Sequence, residues 1–157
     1  MLALINVAAG RLALLLAIPP GYATALWPPA GIAFAALFAR SSALWPGVFL
    51  GSILVNLWTS PQPGTLRSIG VAVAIAAAST LQALIAVRLA RWWTGGSTTL
   101  GSIRDIAGVL ILSGPVASLV ASSCGVMTLR LTGLLSPESA AFSWWTWWVG
   151  DTIGVVL

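Results

Sequence analysis

Long apolar runs alternate with short polar connections along the chain. Each run is near the ~20 residues that a helix needs to cross a hydrocarbon core of ~30 Å. The runs are continuous and rich in Ala and Leu, and they lack the period-two alternation of barrel strands. They cover about residues 2–18, 22–39, 43–59, 69–91, 104–127 and 140–157. The pattern therefore predicts an all-α fold: a polytopic transmembrane helical bundle of about six membrane segments, formed by a single domain over residues 1–157.

Composition agrees with a membrane protein. Hydrophobic residues make up 59% of the 157 residues and charged residues only 6%, whereas about a quarter of the residues of a soluble domain are charged. The net charge of +4 comes from seven arginines and three acids. Because the arginines stand one or two at a time, we interpret them as topology signals. Membrane lipid is therefore an expected partner, and nucleic acid is not.

The arginines are distributed unequally between the two ends of the predicted bundle. Four border the connections after the second and fourth segments, and two lie in the connections after the third and fifth. Since short cytoplasmic loops carry an excess of Lys and Arg, this distribution predicts that both termini are cytoplasmic. The four are Arg40, Arg88, Arg91 and Arg104, and the two are Arg67 and Arg130. The first segment lacks a basic start, so we expect a membrane helix rather than a cleaved signal peptide.

Two segments contain the letters ALWP and are interrupted by proline, at 25–31 and 43–47. Proline is tolerated in the first turn of a helix, where its missing N–H has no partner to lose. Pro28 and Pro29 therefore predict a short helix that begins inside or at the edge of the membrane, and Pro46 predicts a second one.

These two helix starts are candidate binding sites. Free N–H groups at a helix start suit an anion, and paired broken helices often mark a ligand site in membrane proteins. In the alternative interpretation, Trp27 and Trp45 anchor at the membrane interface and the prolines only kink two tilted helices. Whether segments 22–39 and 43–59 fully cross or re-enter stays open.

An acid inside the membrane is costly and normally faces a partner in the bundle interior. Asp151 lies in the last apolar segment, and Arg11 is the only arginine at a comparable depth. We therefore hypothesise an intramembrane ion pair between Arg11 and Asp151. The alternative is that Arg11 extends to the interface and Asp151 is solvated near the cytoplasmic end.

Uncharged polar residues and small residues add further candidates. Most intramembrane polar residues form hydrogen bonds between helices; here they include Asn6, Asn56, Ser79 and Gln82. A small residue every four positions predicts a ridge for close packing against a neighbouring helix or a partner protein. On the first segment this ridge consists of Ala9, Ala13 and Ala17.

The sequence offers little for catalysis. It has no His, no phosphate-binding glycine loop and no two acids at catalytic spacing. We therefore expect no enzyme activity, no metal and no cofactor, although the nine tryptophans are compatible with lipid or pigment contacts.

Five stretches resemble the MASE1 family of integral membrane sensor domains, found at the N-termini of bacterial histidine kinases and diguanylate cyclases. The most specific elements are WPPAG at 27–31 and WWVGDTIG at 147–154. The matching stretches are 15–38, 44–57, 79–91, 113–135 and 144–157, in the family's order and spacing. The chain corresponds to the N-terminal part, roughly half, of the usual membrane region. Gln82 stands where many members have an acid.

The resemblance implies a sensor in the bacterial inner membrane that binds an unidentified signal or partner. Its state would pass to a cytoplasmic kinase or cyclase module. No output module follows here, so we expect a recruited or truncated domain. The candidate ligand- or partner-binding residues are Trp27, Pro28, Pro29, Gly31, Trp45, Pro46, Asn56, Gln82 and Asp151. All of them except Gln82 are motif positions by this resemblance, and Gly150 is a further motif position.

Two other functions stay open at the level of sequence. The chain could be a stand-alone accessory transmembrane subunit of a larger membrane protein complex. It could also be a small substrate-binding membrane protein that resembles the binding components of vitamin transporters.

Overall fold

The computed structural model describes residues 1–16, 24–60 and 62–157. Six helices follow one another in these ranges, which confirms the predicted all-α membrane bundle. They are α1 Leu2–Leu14, α2 Pro28–Ala39, α3 Trp45–Thr59, α4 Leu66–Trp93, α5 Ile103–Leu131 and α6 Pro137–Val156. A 3₁₀ turn, Ser42–Leu44, leads into α3.

Three helices are long and apolar enough to cross a membrane, if the 3₁₀ turn is counted with α3: Ser42–Thr59, Leu66–Trp93 and Ile103–Leu131. Helices α1 and α2 are apolar but have only 13 and 12 residues, or about 18–20 Å at 1.5 Å per residue. Helix α2 begins at Pro28, and Pro46 lies in the first turn of α3. The predicted proline-started helices are therefore confirmed.

Helix α4 forms the centre of the bundle. It packs against α3 and α5, while α6 packs against α2 and α5, and α1 packs against α3. The main core lies where α2, α4 and α5 meet, around the buried side chains of Leu37, Val87, Val109 and Ala117. Many of the buried residues of α4 are alanines, and small residues let neighbouring backbones approach closely in a membrane.

Helices α1 and α3 approach each other at two glycines of α3, Gly47 and Gly51. A Cβ atom on Gly51 would lie 2.8 Å from the Cβ of Asn6 and 3.0 Å from the carbonyl oxygen of Ala3. The four-residue spacing of the glycines places both on one face of the helix, as in other closely packed membrane helices.

The predicted alanine ridge on α1 takes a smaller part in this contact. Ala13 is buried and Ala9 is half-buried, while Ala17 lies outside the described residues. The space for the close approach comes from Gly47 and Gly51 of α3 and from Gly10 of α1, where a Cβ atom would lie 3.0 Å from Val55 Cγ2.

Helix α5 contains a π-helical turn, Leu112–Val116, between its α-helical parts. Pro115 accounts for the turn, because its ring would collide with the carbonyl one turn earlier in a regular α-helix. Trp148 Nε1 of α6 donates to Pro115 O at 2.8 Å, and Ser113 Oγ donates to Ala86 O of α4 at 3.3 Å. Both helices that flank α5 are thus hydrogen-bonded to this turn.

The hypothesised ion pair between Arg11 and Asp151 is not present, although both residues lie in the described part of the chain. The guanidinium carbon of Arg11 lies 3.9 Å from the ring centroid of Trp58, and Arg11 is exposed. Helix α1 faces the bundle with another side, formed by Asn6, Gly10 and Ala13. Arg11 therefore stays outside the bundle while Asp151 is buried within it.

The position of Arg11 also changes the arginine distribution. Trp58 is one residue from the end of α3, so Arg11 lies toward the same end of the bundle as the connection between α3 and α4. At the opposite end, Arg91 Nη2 donates to Leu37 O in the last turn of α2 at 3.4 Å. The excess of arginines at that end falls from four against two to four against three.

Candidate functional site

An extended segment, residues 24–27, leads into α2 and lies directly against α6. Trp27 N donates to Gly150 O at 3.0 Å. A Cβ atom on Gly150 or on Gly154 would collide with a backbone carbonyl oxygen of the segment. This contact of backbone with backbone therefore requires both glycines, and they flank Asp151 on α6.

The start of α2 has no free N–H group. The first four N–H groups of a helix ordinarily lack an intrahelical acceptor. Here Trp27 N is bonded to α6, Pro28 and Pro29 have no N–H, and Ala30 N donates to Trp27 O at 3.1 Å. This helix start therefore has no N–H group with which to bind an anion, contrary to the expectation from sequence. The cavity beside it is also lined by an acid, Asp151.

Asp151 is the buried acid of the bundle, with 9% of its surface exposed. It lines two adjoining cavities, and no basic residue contributes to the described lining of either. A buried carboxylate is strongly destabilising unless a donor or a positive charge compensates it. The centre of the bundle therefore contains an acidic group whose compensation does not come from Arg11.

Three cavities follow one another through the bundle, with volumes of about 60, 30 and 30 Å³. The largest shares four lining residues with each of the other two. The shared sets are Trp27, Ser52, Ser79 and Asp151 with the second cavity, and Asn56, Thr59, Ile75 and Trp147 with the third. The third cavity reaches Ser60 and Ser68 at the connection between α3 and α4. Together they form a route, lined by both polar and apolar side chains, from that connection to Asp151.

Gln82 lies on α4 and lines the second cavity together with Asp151. It is 4% exposed, and its Nε2 donates to Ser118 Oγ of α5 at 3.3 Å. Its Oε1 is buried and accepts no hydrogen bond within the described ranges. An acceptor without a donor thus lies in the cavity that also contains the acid.

The structure brings five of the candidate ligand- or partner-binding residues to these cavities: Trp27, Pro29, Asn56, Gln82 and Asp151. The polar candidates Asn6 and Ser79 line the second cavity as well. Pro28, Gly31 and Gly150 instead lie where α6 meets the start of α2 and the segment before it. Trp45 and Pro46 are exposed at the start of α3. The two ALWP stretches therefore have different environments, and only the first reaches the bundle centre.

Several lining residues were missed at the level of sequence, and Thr24, Ser52 and Trp147 are three of them. Helical spacing could have indicated two of these three. Ser52 lies one turn before Asn56, and Trp147 lies one turn before Asp151, so each shares a helix face with a predicted residue. Thr24 precedes α2 and has no such signal.

Fold and site define a membrane-integral helical bundle with an acid-containing polar cavity at its centre. The chain belongs to the MASE1 family, whose family model matches residues 1–157. MASE1 domains are membrane sensor domains rather than catalytic ones, and the match confirms the resemblance over the whole chain. No curated protein and no solved structure matches the chain.

Proposed function

We propose that this domain binds a small signal molecule in the cavities around Asp151 and passes its state through α6 to a cytoplasmic signalling module. A membrane sensor needs a place for its signal and an element that responds to it. The observation that carries the proposal is that Asp151, a residue of α6, lies at the junction of two cavities. Binding and response would then involve the same helix.

Access of the signal would begin at the connection between α3 and α4. Ser60 and Ser68 line the third cavity there, and the route continues to Asp151. With both termini cytoplasmic in a bacterial inner membrane, this connection faces the outside of the cell. The excess of four arginines against three at the opposite end supports that orientation.

Transmission would use the contact between α6 and residues 24–27. Because Gly150 and Gly154 present no side chains there, the backbone of α6 directly contacts this segment, and the proposed response is a shift of α6 relative to it. A ligand that bridges Asp151 of α6 and Gln82 of α4 would draw the two helices together. Such a ligand shifts the equilibrium only by its difference in affinity for the two positions of α6.

In the test, the domain is fused to the N-terminus of a diguanylate cyclase or kinase domain. The activity of that output domain is measured in intact cells over a range of growth media. Asp151→Asn is expected to shift the output at unchanged membrane levels of the protein. Asp105→Asn is the matched control, because Asp105 lies in the first turn of α5 and lines none of the three cavities. Equal output of wild type and Asp151→Asn in every medium would contradict the proposal.

A further inference from the structure

We infer that the ligand of the Asp151 cavity is a small cation with N–H donors: an ammonium ion or a short primary alkylammonium. This inference rests on the proposed sensory function and names the chemistry of the signal. It follows from the hydrogen-bonding groups, the charge, the aromatic lining and the size of the cavities.

Three of the side-chain donor groups around the cavities are hydrogen-bonded within the protein. Asn56 Nδ2 donates to Ser52 O at 2.8 Å, and Gln82 Nε2 donates to Ser118 Oγ at 3.3 Å. Thr24 Oγ1 donates to a backbone carbonyl at 2.7 Å. Thr24 has no further hydrogen to donate, and Asn56 Nδ2 also lies 3.4 Å from Ser52 Oγ, so these two side chains present acceptor oxygens to a ligand.

Two acceptor groups at the second cavity are available to a ligand. Gln82 Oε1 is buried without a donor among the described residues, and an ionised Asp151 carboxylate can only accept. An ionised Asp151 would repel an anion, and a neutral molecule without donors would leave Gln82 Oε1 and the carboxylate of Asp151 without a hydrogen bond. The ligand that satisfies both groups carries positive charge and at least two hydrogen-bond donors.

The lining also favours an ammonium over a metal ion. Divalent cations are usually bound by several carboxylates or by His and Cys ligands, and the described residues contain no cluster of three such side chains. Two indoles, those of Trp27 and Trp147, line the largest cavity beside Asp151. Aromatic rings attract ammonium groups, and alkyl substituents on the nitrogen pack well against them.

Size restricts the ligand further. A water molecule needs roughly 10–15 Å³ of this kind of cavity volume, so the largest cavity, at about 60 Å³, accommodates about four waters or a few ligand atoms. Ammonium and methylammonium fit within it. Tetramethylammonium is larger and has no N–H donor, so it is a control for both properties.

The experiment measures thermal unfolding of the full chain, purified in detergent, at constant ionic strength. Ammonium chloride and methylammonium chloride are compared with the chlorides of sodium, potassium and tetramethylammonium. At a hundredfold excess over Kd, a bound ligand is expected to raise the unfolding midpoint by about 5 °C or more. Ammonium, methylammonium or both should produce a saturable rise of the unfolding midpoint. The cation with the larger rise is then the better model of the ligand. Equal midpoints in all five salts, or a rise of the same size in sodium or potassium, would overturn the inference.

Variants assign the effect to the cavity. Asp151→Asn removes the charge and should abolish the rise, whereas Asp105→Asn should retain it. Gln82→Met removes the unpaired acceptor and should raise Kd at least tenfold, which keeps the inference testable if the first variant does not fold. Retention of the wild-type rise in Asp151→Asn, or an unchanged Kd in Gln82→Met, would refute it.

The two proposals can fail separately. If no amine binds but Asp151→Asn still shifts the output of the sensor fusion, the ligand class is wrong and the sensory function stands. If an amine binds through Asp151 but never changes that output, the ligand class stands and the sensory function fails.

Discussion

Replacing Gly154 with alanine tests the backbone contact between α6 and the start of α2. The new methyl group would collide with the carbonyl oxygen of Trp27. Because both partners are backbone, neither can rotate away, and α6 must move outward at a cost of about 1–3 kcal/mol. The movement also removes the hydrogen bond from Trp27 N to Gly150 O, worth about 1 kcal/mol. The higher helix propensity of alanine offsets about 1 kcal/mol, so the free energy of unfolding should fall by about 1–3 kcal/mol in all.

The assay is reversible unfolding in mixed micelles of increasing SDS content, followed by circular dichroism. Gly70→Ala is the matched control, because Gly70 lies within α4 and a Cβ atom there meets nothing within 4 Å. The control should be neutral or stabilised by up to about 1 kcal/mol. If Gly154→Ala were as stable as Gly70→Ala, α6 would not be in backbone contact with residues 24–27, and the reasoning would be refuted.

Three further predictions concern other contacts and use the same unfolding titration. Gly51→Ala should lower the free energy of unfolding by about 1–3 kcal/mol, because its methyl group would lie 2.8 Å from a Cβ atom of α1; wild-type stability would contradict the close approach of α1 and α3. Arg11→Met and Trp58→Leu should show a coupling energy of about 0.5–1 kcal/mol in a double-mutant cycle, and strictly additive effects would exclude the cation–π contact. Trp148→Phe should cost about 1 kcal/mol, since it removes the donor to Pro115 O at 2.8 Å, and an unchanged stability would show that this bond is not formed in micelles.

Helix starts were predictable because proline acts locally. Pro28, Pro29 and Pro46 restrict their own backbone and lack an N–H whatever surrounds them, so the first turns of α2 and α3 follow from sequence alone. The number and type of the segments follow equally directly from continuous apolar runs of helical length.

The environment of Asp151 was not predictable in the same way. Position along an apolar segment predicts the depth of a residue in the membrane. By this criterion Arg11 and Asp151 have comparable depths. Pairing also requires the rotation of each helix about its axis. In a helix that is apolar nearly all round, the sequence carries no polar stripe to indicate which face is buried. Helix α1 buries the face of Asn6 and Gly10 and turns Arg11 outward.

The close backbone contact of Gly150 and Gly154 was also not predictable from sequence. Gly150 and Gly154 are visible as a small-residue pair on α6, but their partner is an extended segment rather than a helix. Which backbone meets such a pair is decided by the packing of the whole bundle. Without the position of residues 24–27, the requirement for glycine could not be derived.

The π-helical turn at Leu112–Val116 determines the rotational phase of the second half of α5. A π turn contains one residue more than an α turn, and one residue corresponds to about 100° around an α-helix. The extra residue thus decides which side of α5 meets its neighbours: Ser118 faces Gln82, and Gly125 receives the ring of Trp147. A one-residue deletion in this turn would present other side chains to α4 and α6. One extra residue in this turn therefore decides which side chains of α5, Ser118 among them, face the centre of the bundle.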